Sequence, residues 1–174
     1  MVAKKKPKKK NSVKAQQSPP KKRKRRKKGR YRTGTHKSPK ASKPIDYRSG
    51  WELEVCKYLD HEPSVVSYEY ETIIIPYISN IRTGKVRRYF PDFLVTYQDG
   101  KRVMVEVKRN DKLTNPLVMK KTEAGRQWCQ QNGAIYELWC DTLIGKIKKI
   151  NEVVKKCQNV RSSKEHQLML SGSK

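Results

Sequence analysis

The stretch Arg88-Tyr89-Phe90-Pro91-Asp92-Phe93-Leu94-Val95-Thr96-Tyr97, then Gln98-Asp99-Gly100, then Lys101-Arg102-Val103-Met104-Val105-Glu106-Val107-Lys108, decides the fold. It contains two runs in which apolar and other residues alternate, separated by a turn signal. In 102–108, Val103, Val105 and Val107 share one face and Arg102, Met104, Glu106 and Lys108 the other, because strand side chains alternate. In 92–97, Phe93, Val95 and Tyr97 share a face, leaving Asp92, Leu94 and Thr96 opposite. The apolar faces coincide only when paired positions sum to an even number. A two-residue loop at Asp99-Gly100 would set Phe93 against Glu106. A three-residue loop, Gln98-Asp99-Gly100, sets Phe93 against Val105 and Val95 against Val103, with Gly100 in the left-handed position such loops require. Register follows the hydrophobic pattern, so the three-residue loop is expected.

That register places Asp92 opposite Glu106 on the polar face, with Lys108 next along it. Facing carboxylates repel at cross-strand distance. A divalent cation between them would remove the repulsion, and Mg²⁺ and Mn²⁺ prefer oxygen ligands of this kind. Lys108 is placed to orient an attacking water or to stabilise developing phosphate charge. Pro91 ends the preceding strand and helps fix Asp92 at a bend. The simpler reading of a bare Glu-Val-Lys is a solvated hairpin face of mixed charge. Pro91-Asp92, a loop of fitting length and a preceding helix that carries Glu52 shift the weight toward chemistry.

Outward from the hairpin, a helix is expected over roughly 49–60. Ser49 is its N-cap and Glu52 stands three residues on, as in a capping box, with Trp51, Val55, Tyr58 and Leu59 at helical spacing. Residues 68–78, including Ile73-Ile74-Ile75, read as one strand ending near Pro76. Asn80 to Gly84 is a turn and 85–90 a further strand. A helix covers roughly 117–131, with Pro116 near its start and Gly133 past its end. Ala134 to Cys140 is a strand. A last helix, about 142–156, places Leu143, Ile147, Ile150 and Val154 on one face. Residues 159–174 read as a frayed, flexible tail. The expected architecture is α/β, a mixed central sheet flanked by helices, in a domain spanning 31–158.

The N-terminal tail differs in kind. The 174-residue chain carries 42 Lys and Arg against 16 Asp and Glu, a net charge of +26. Twenty of the basic residues precede the first acidic one, Asp46, which leaves 22 basic against 16 acidic residues from there on, a surplus of six. Residues 1–30 hold 16 cations and almost nothing apolar. Such a segment cannot offset its ordering entropy by burial and reads as disordered. Its partner is a polyanion, bound with strong salt dependence and little sequence choice. The run Lys21-Lys22-Arg23-Lys24-Arg25-Arg26-Lys27-Lys28 is the candidate nucleic-acid contact, and it also fits a nuclear-import patch, an RNA-binding arm or an anionic membrane contact.

Other function classes are excluded or left without support. No run approaches the roughly 18 apolar residues a membrane span needs, and the N-terminus lacks the apolar core of a secretory signal. Cys56, Cys129, Cys140 and Cys157 have neither disulfide-scaffold nor zinc spacing, and Cys157 and His166 are too isolated for zinc, so reduced thiols of a cytosolic protein are expected. His36 and His61 read as surface residues. Glu71 reads as a solvated strand end rather than an outer acid of the site, and Lys120, Lys121 and Gln127 as a solvated helix face. Trp51, Trp128 and Trp139 read as core rather than as base-stacking platforms.

Pro-Asp followed on the adjacent strand by Glu-x-Lys is the pattern of PD-(D/E)XK nucleases. The longer context is more specific. Thr33-Gly34-Thr35-His36-Lys37-Ser38, Tyr47-Arg48-Ser49-Gly50-Trp51-Glu52, Ile75-Pro76-Tyr77, Arg88-Tyr89-Phe90-Pro91-Asp92-Phe93 and Glu106-Val107-Lys108 occur in this order. Over roughly residues 30–140 this resembles the head completion nucleases of T-even-like tailed phages, which in turn look like the N-terminal nuclease domain of TnsA-type transposon endonucleases. The resemblance implies a restriction-endonuclease-like core and Mg²⁺- or Mn²⁺-dependent phosphodiester cleavage. Asp92 and Glu106 match metal-binding carboxylates, Lys108 the catalytic lysine, and Glu52 the helix glutamate that completes the site. The polybasic arm is not part of the family pattern, and the second domain of the transposon proteins has no counterpart here.

The expected function is therefore a DNA endonuclease of phage head completion, with double-stranded DNA and head or neck proteins as partners. Its expected place is the host cytoplasm during assembly, or the virion. The rival from another class is a non-catalytic DNA-binding head or neck protein on a nuclease-like scaffold. A nuclear protein of a eukaryotic virus or host is a third reading, motivated by the basic run. The sequence does not fix an oligomeric state.

Overall fold

A computed structural model describes residues 32–171, with side chains described as far as 162. The basic tail, with Lys21 to Lys28 and its expected disorder, lies outside the described residues.

The hairpin expected from the alternating valines is present. β6 (Phe93–Tyr97) pairs antiparallel with β7 (Arg102–Val107), Phe93 opposite Val105 and Val95 opposite Val103. Beyond the last ladder pair, the Tyr97 N–H donates to the Lys101 carbonyl at 2.9 Å and the Gly100 N–H to the Tyr97 carbonyl at 3.0 Å, which closes the three-residue loop. Gly100 has φ +79°, the left-handed conformation that the loop demands.

Around this hairpin, β3 (Val65–Tyr70) joins the free edge of β6, and β8 (Ile135–Trp139) runs parallel to β7. The sheet order is β3-β6-β7-β8, a mixed sheet. The parallel connection requires a crossover. It is supplied by α2 (Pro116–Gln131), capped by the Asn115 side chain, with Pro116 in its first turn and Gly133 at φ +61° just past its end. Two short pairs lie outside this sheet: β1 (Gly34–His36) with β2 (Ile45–Tyr47), and β4 (Ile75–Asn80) with β5 (Lys85–Tyr89).

α1 (Gly50–His61) and α3 (Asp141–Ser171) cover one face of the sheet. There Val55, Cys56 and Leu59 of α1 meet Val95, Val103 and Val105 of the sheet and Ile144 and Ile147 of α3. α2 and the β4–β5 ribbon cover the other face, where Met104 packs with Ile75, Tyr77, Tyr89 and Cys129. Both faces of β7 are therefore buried, and the solvated-face reading of the hairpin fails. Met104 is fully buried and Glu106 is 5% exposed.

Three further expectations are corrected. The 68–78 stretch is two strands, β3 and β4, separated at 71–74. Glu71 turns the chain at φ +50°; its N–H still donates to the Asp92 carbonyl at 3.1 Å, one step past the Tyr70–Phe93 pair, and the ladder ends there. Pro76 lies inside β4, on a two-stranded ribbon where a missing N–H is tolerated. The last helix, expected over about 142–156, is α3 and continues to Ser171. Its buried face also turns by one position, to Ile144, Ile147 and Asn151, while Leu143 and Ile150 are exposed. Asn151 is buried because its amide Nδ2 donates to the Glu54 carbonyl at 2.9 Å and to Glu54 Oε2 at 2.8 Å. Among the described residues no helix is long and apolar enough to cross a membrane.

Candidate active site

Asp92 enters the site because Pro91 ends the approach from β5 and the chain turns directly into β6. Its Oδ2 accepts the Val107 N–H at 2.7 Å, across the open end of the β6–β7 ladder. Glu106, on the same face of β7, is almost fully buried. Its Oε1 pairs with Lys108 Nζ at 2.8 Å and its Oε2 accepts from the Tyr89 hydroxyl, also at 2.8 Å. Lys108 itself is pinned by its N–H on the Trp139 carbonyl, 3.2 Å away at the end of β8.

Electrostatics follow from this crowding. Burial, then the charge of neighbouring Glu106, pushes the Asp92 carboxyl well above the ordinary carboxylate range, against the Val107 N–H and Lys108. Burial pulls the Lys108 ammonium down, but the Glu106 charge and hydrogen bond outweigh it and hold the group above its ordinary value.

Glu52 takes its place from the cap of α1. Ser49 is the N-cap and its Oγ accepts the Glu52 N–H at 3.2 Å. The returning half of the capping box differs from the standard form. Glu52 Oε2 accepts the N–H of Arg48, at 2.8 Å, and Oε1 accepts from Ser49 Oγ at 2.7 Å. The Tyr70 hydroxyl also donates to Oε2, at 2.6 Å. Glu52 thus lines the same cleft as Lys108 but spends its oxygens on its own helix start and on β3. That cleft, of about 530 Å³, is lined by Trp51, Glu52, Val107, Lys108, Arg109 and Lys112 among others.

The structure therefore brings Asp92, Glu106 and Lys108 together at the ends of β6 and β7, with Glu52 beside them. Among the described residues no group of three or more His, Cys, Asp and Glu is gathered closely enough to hold a metal unaided.

Glu71 is a residue that sequence reasoning places wrongly. It is partly buried, and Arg48 Nη2 meets its Oε2 at 2.6 Å. Burial raises its pKa, as do the charges of Glu52 and Glu106, against Arg48. It belongs to the rim of this site, and the turn that places it there leaves no signal in hydropathy. Lys120 and Lys121 are likewise not free on a solvated face: Lys120 Nζ donates to the Ser79 carbonyl at 3.0 Å, and Lys121 Nζ lies 5.5 Å from the centre of the Tyr89 ring. Gln127 is exposed and bonds Glu123 on its own helix.

His36 is not a free surface residue either. Its Nε2 lies 2.7 Å from Asp60 Oδ2, while Ser38 Oγ and the Tyr68 hydroxyl donate to Asp60 Oδ1 at 2.5 and 2.9 Å. This network ties the Thr33–Ser38 block to the end of α1. Trp139 is core, and Trp51 and Trp128 are half-buried against the two clusters. All four cysteines are free thiols, Cys56 and Cys129 buried.

The sheet, its crossover helix and the carboxylate pair at the strand ends make this a restriction-endonuclease-like α/β fold. Residues 62–140 match the family described as the TnsA-like endonuclease N-terminal domain. Over 75 residues the chain is 36% identical to a head completion nuclease of Enterobacteria phage T4, a match covering 43% of this chain and 49% of that protein. The chain thus spans about half the length of the curated relative it matches. The resemblance read from the sequence holds over the segment that carries Asp92, Glu106 and Lys108, and the segment before residue 62, with Glu52, lies outside the family match.

Proposed function

We propose that the chain is a divalent-metal-dependent DNA endonuclease of the PD-(D/E)XK class, acting in phage head completion. The observation that carries this reading is the meeting of Asp92, Glu106 and Lys108 at the joined ends of β6 and β7, beside a cleft edged by Arg109 and Lys112. The likeness to a TnsA-like endonuclease domain and to a phage head completion nuclease supports it.

The donor set fits a hard cation. Asp92 and Glu106 offer only oxygen, and burial, then the Glu106 charge, raises the Asp92 pKa despite Lys108, a cost that a bound cation would relieve. Asp92 and Glu106 would hold Mg²⁺ or Mn²⁺, with Glu52 joining the set through water. The ion would supply Lewis acidity toward water and the phosphodiester. The remaining work belongs to the chain. The Val107 N–H fixes Asp92, and the Tyr89 hydroxyl fixes Glu106. Lys108, a donor of three N–H groups, orients the attacking water and offsets charge gathering on the scissile phosphate. Arg109 and Lys112 meet flanking phosphates. The polybasic tail adds affinity without sequence choice, in the host cytoplasm where heads are assembled.

Incubation of supercoiled plasmid with protein and Mg²⁺ or Mn²⁺ tests this directly. Nicked or linear product from wild type, absent in EDTA and lost in Asp92→Asn and Lys108→Ala, is expected. DNA binding with no cutting under either metal would favour a structural head or neck protein instead. Equal cutting by wild type and both variants would remove the catalytic assignment.

A further inference from the structure

The β4–β5 ribbon stands apart from the main sheet; one of its sides is packed into the core, and the other lines an open concavity with Lys120, Glu123 and Gln127 of α2. Ile75, Tyr77 and Tyr89 are buried beneath α2. On the other side Ile78 and Val86 stand opposite one another, 54% and 61% exposed, and Ile81 at the tip is 79% exposed. From Thr72 to Pro91 there is no acidic residue and there are four cations, Arg82, Lys85, Arg87 and Arg88. All four are exposed, and none makes an ion pair among the described residues. Beyond the tail the chain has a surplus of only six basic residues, and this one ribbon holds four unopposed cations.

The ribbon is also joined to the site. Tyr89 at its base bonds Glu106, and Phe90-Pro91 lead straight into Asp92. Five residues of strand reach ~16 Å from that base, about five base pairs of duplex at ~3.4 Å each. The major groove of B-DNA, ~12 Å wide, admits a two-stranded ribbon.

We propose that the β4–β5 ribbon is a duplex-docking arm that lies in the major groove beside the scissile phosphate. Arg82, Lys85, Arg87 and Arg88 meet phosphates on the groove walls, and Ile78, Ile81 and Val86 face the groove floor, where thymine methyls are the apolar contacts on offer. A protein partner seated on the same apolar side would have to desolvate or pair four cations, whereas a polyanion pairs them as it docks. The position of the ribbon relative to the cut rests on the nuclease reading above; the docking surface itself does not.

The test uses the full chain in EDTA, so that binding is read without chemistry. Anisotropy of a labelled blunt duplex is followed against salt for wild type and for Arg82→Ala/Lys85→Ala/Arg87→Ala. A matched control, Lys146→Ala/Lys149→Ala/Lys156→Ala, removes equal charge from the exposed side of α3. These side chains are exposed, and circular dichroism checks that folding is unchanged. The ribbon variant should lower the slope of log Kd against log salt by about 2–3, since each phosphate neutralised contributes about 0.9 to that slope. The α3 control should lower it by less than the share of a single phosphate. Ile78→Asp/Val86→Asp should weaken binding while every basic residue is retained. Equal slopes for ribbon and control variants, or undiminished binding by the ribbon variants, would overturn the proposal and leave the apolar side to a protein partner. Failure of wild type to cut DNA, with the ribbon effect present, would overturn the nuclease reading and not this one.

Discussion

The Tyr89 hydroxyl donates to Glu106 Oε2 at 2.8 Å, and so ties the last residue of β5 to the buried carboxylate of β7. Both residues are 5% exposed or less, and the Tyr136 hydroxyl lies 3.3 Å beyond. Burial and the Glu106 charge push the Tyr89 phenol far above its ordinary pKa, so it is a fixed donor at all working pH. Tyr89→Phe keeps the ring and removes the donor, leaving one Glu106 oxygen short of a partner. The expected cost is about 1–3 kcal/mol of stability, the penalty of a buried acceptor left unpaired. If the nuclease proposal holds, kcat falls with KM little changed, because Glu106 is loosened while the groups that meet phosphate stay in place. Urea denaturation and steady-state cleavage check both. An unchanged midpoint would mean the bond contributes nothing.

Lys108 and Glu106 form the one buried ion pair at the site, side chains 27% and 6% exposed. Breaking such a pair costs more than the pair is worth, because the remaining charge is stranded. Lys108→Met should therefore destabilise the protein by about 2–4 kcal/mol in EDTA. A bound divalent cation would offset part of that charge. At tenfold excess over Kd it adds about 1.4 kcal/mol, a rise of about 3–6 °C in Tm for a domain of this size. Calorimetry with and without Mg²⁺ should show the rise in wild type and in Lys108→Met, and no rise in Asp92→Asn. An equal rise in all three would place the cation elsewhere.

The parts of this fold that the sequence discloses are those governed by local periodicity. Val103, Val105 and Val107 against Phe93 and Val95 admit one register, and Gly100 admits one loop. Together they put Asp92 beside Glu106. Ser49 and Asn115 announce their helices by capping chemistry, which is equally local. What stays hidden is set by distant partners. Nothing near Met104 or Glu106 says that α2 and the β4–β5 ribbon will bury that face. The triple isoleucine 73–75 reads as strand interior, yet Ile73 and Ile74 lie in the break between β3 and β4, which opens where the backbone turns at Glu71 with φ +50°. The buried face of α3 is misjudged by one position because Asn151, a polar residue, is inside on account of Glu54, 97 residues away. His36 reads as solitary for the same reason: Asp60 is far off in sequence.

Gly125 shows how closely α2 lies on the site. A Cβ there would stand 2.5 Å from Cε2 of Tyr136 and 3.3 Å from the ring of Tyr89. Both rings are held by their shared hydroxyl contact and by Glu106, so neither can turn aside freely. In an exposed helix, Gly→Ala stabilises by about 1 kcal/mol. Here the clash should reverse the sign, at a net loss of about 1–2 kcal/mol from overpacking. Gly125→Ala should also lower cleavage, and Gly125→Ala/Tyr136→Leu should recover stability. A gain in Tm from Gly125→Ala alone would show that the rings yield.

Asn151 and Glu54 join α3 to α1, and their bond makes stability depend on pH. Burial works against the Glu54 charge, but the Asn151 amide, then Lys57, outweigh it and hold its pKa below the ordinary Glu value of 4.5. The folded protein thus binds that proton less tightly than the unfolded chain. The stabilisation is complete above about pH 4.5, where both states are ionised, and is lost as pH falls through the lower folded value. Asn151→Leu removes the amide donor and fills the space with apolar surface. At pH 7 it should cost about 1.5–3 kcal/mol, the worth of hydrogen bonds to a charged group. The deficit should shrink as pH falls through the lowered Glu54 value, where wild type loses the same contribution. Denaturation midpoints of the two proteins between pH 3 and pH 7 decide it. A gap that stays constant over that range would mean Asn151 acts through packing alone, and that the Glu54 carboxylate has no part in fastening the two helices.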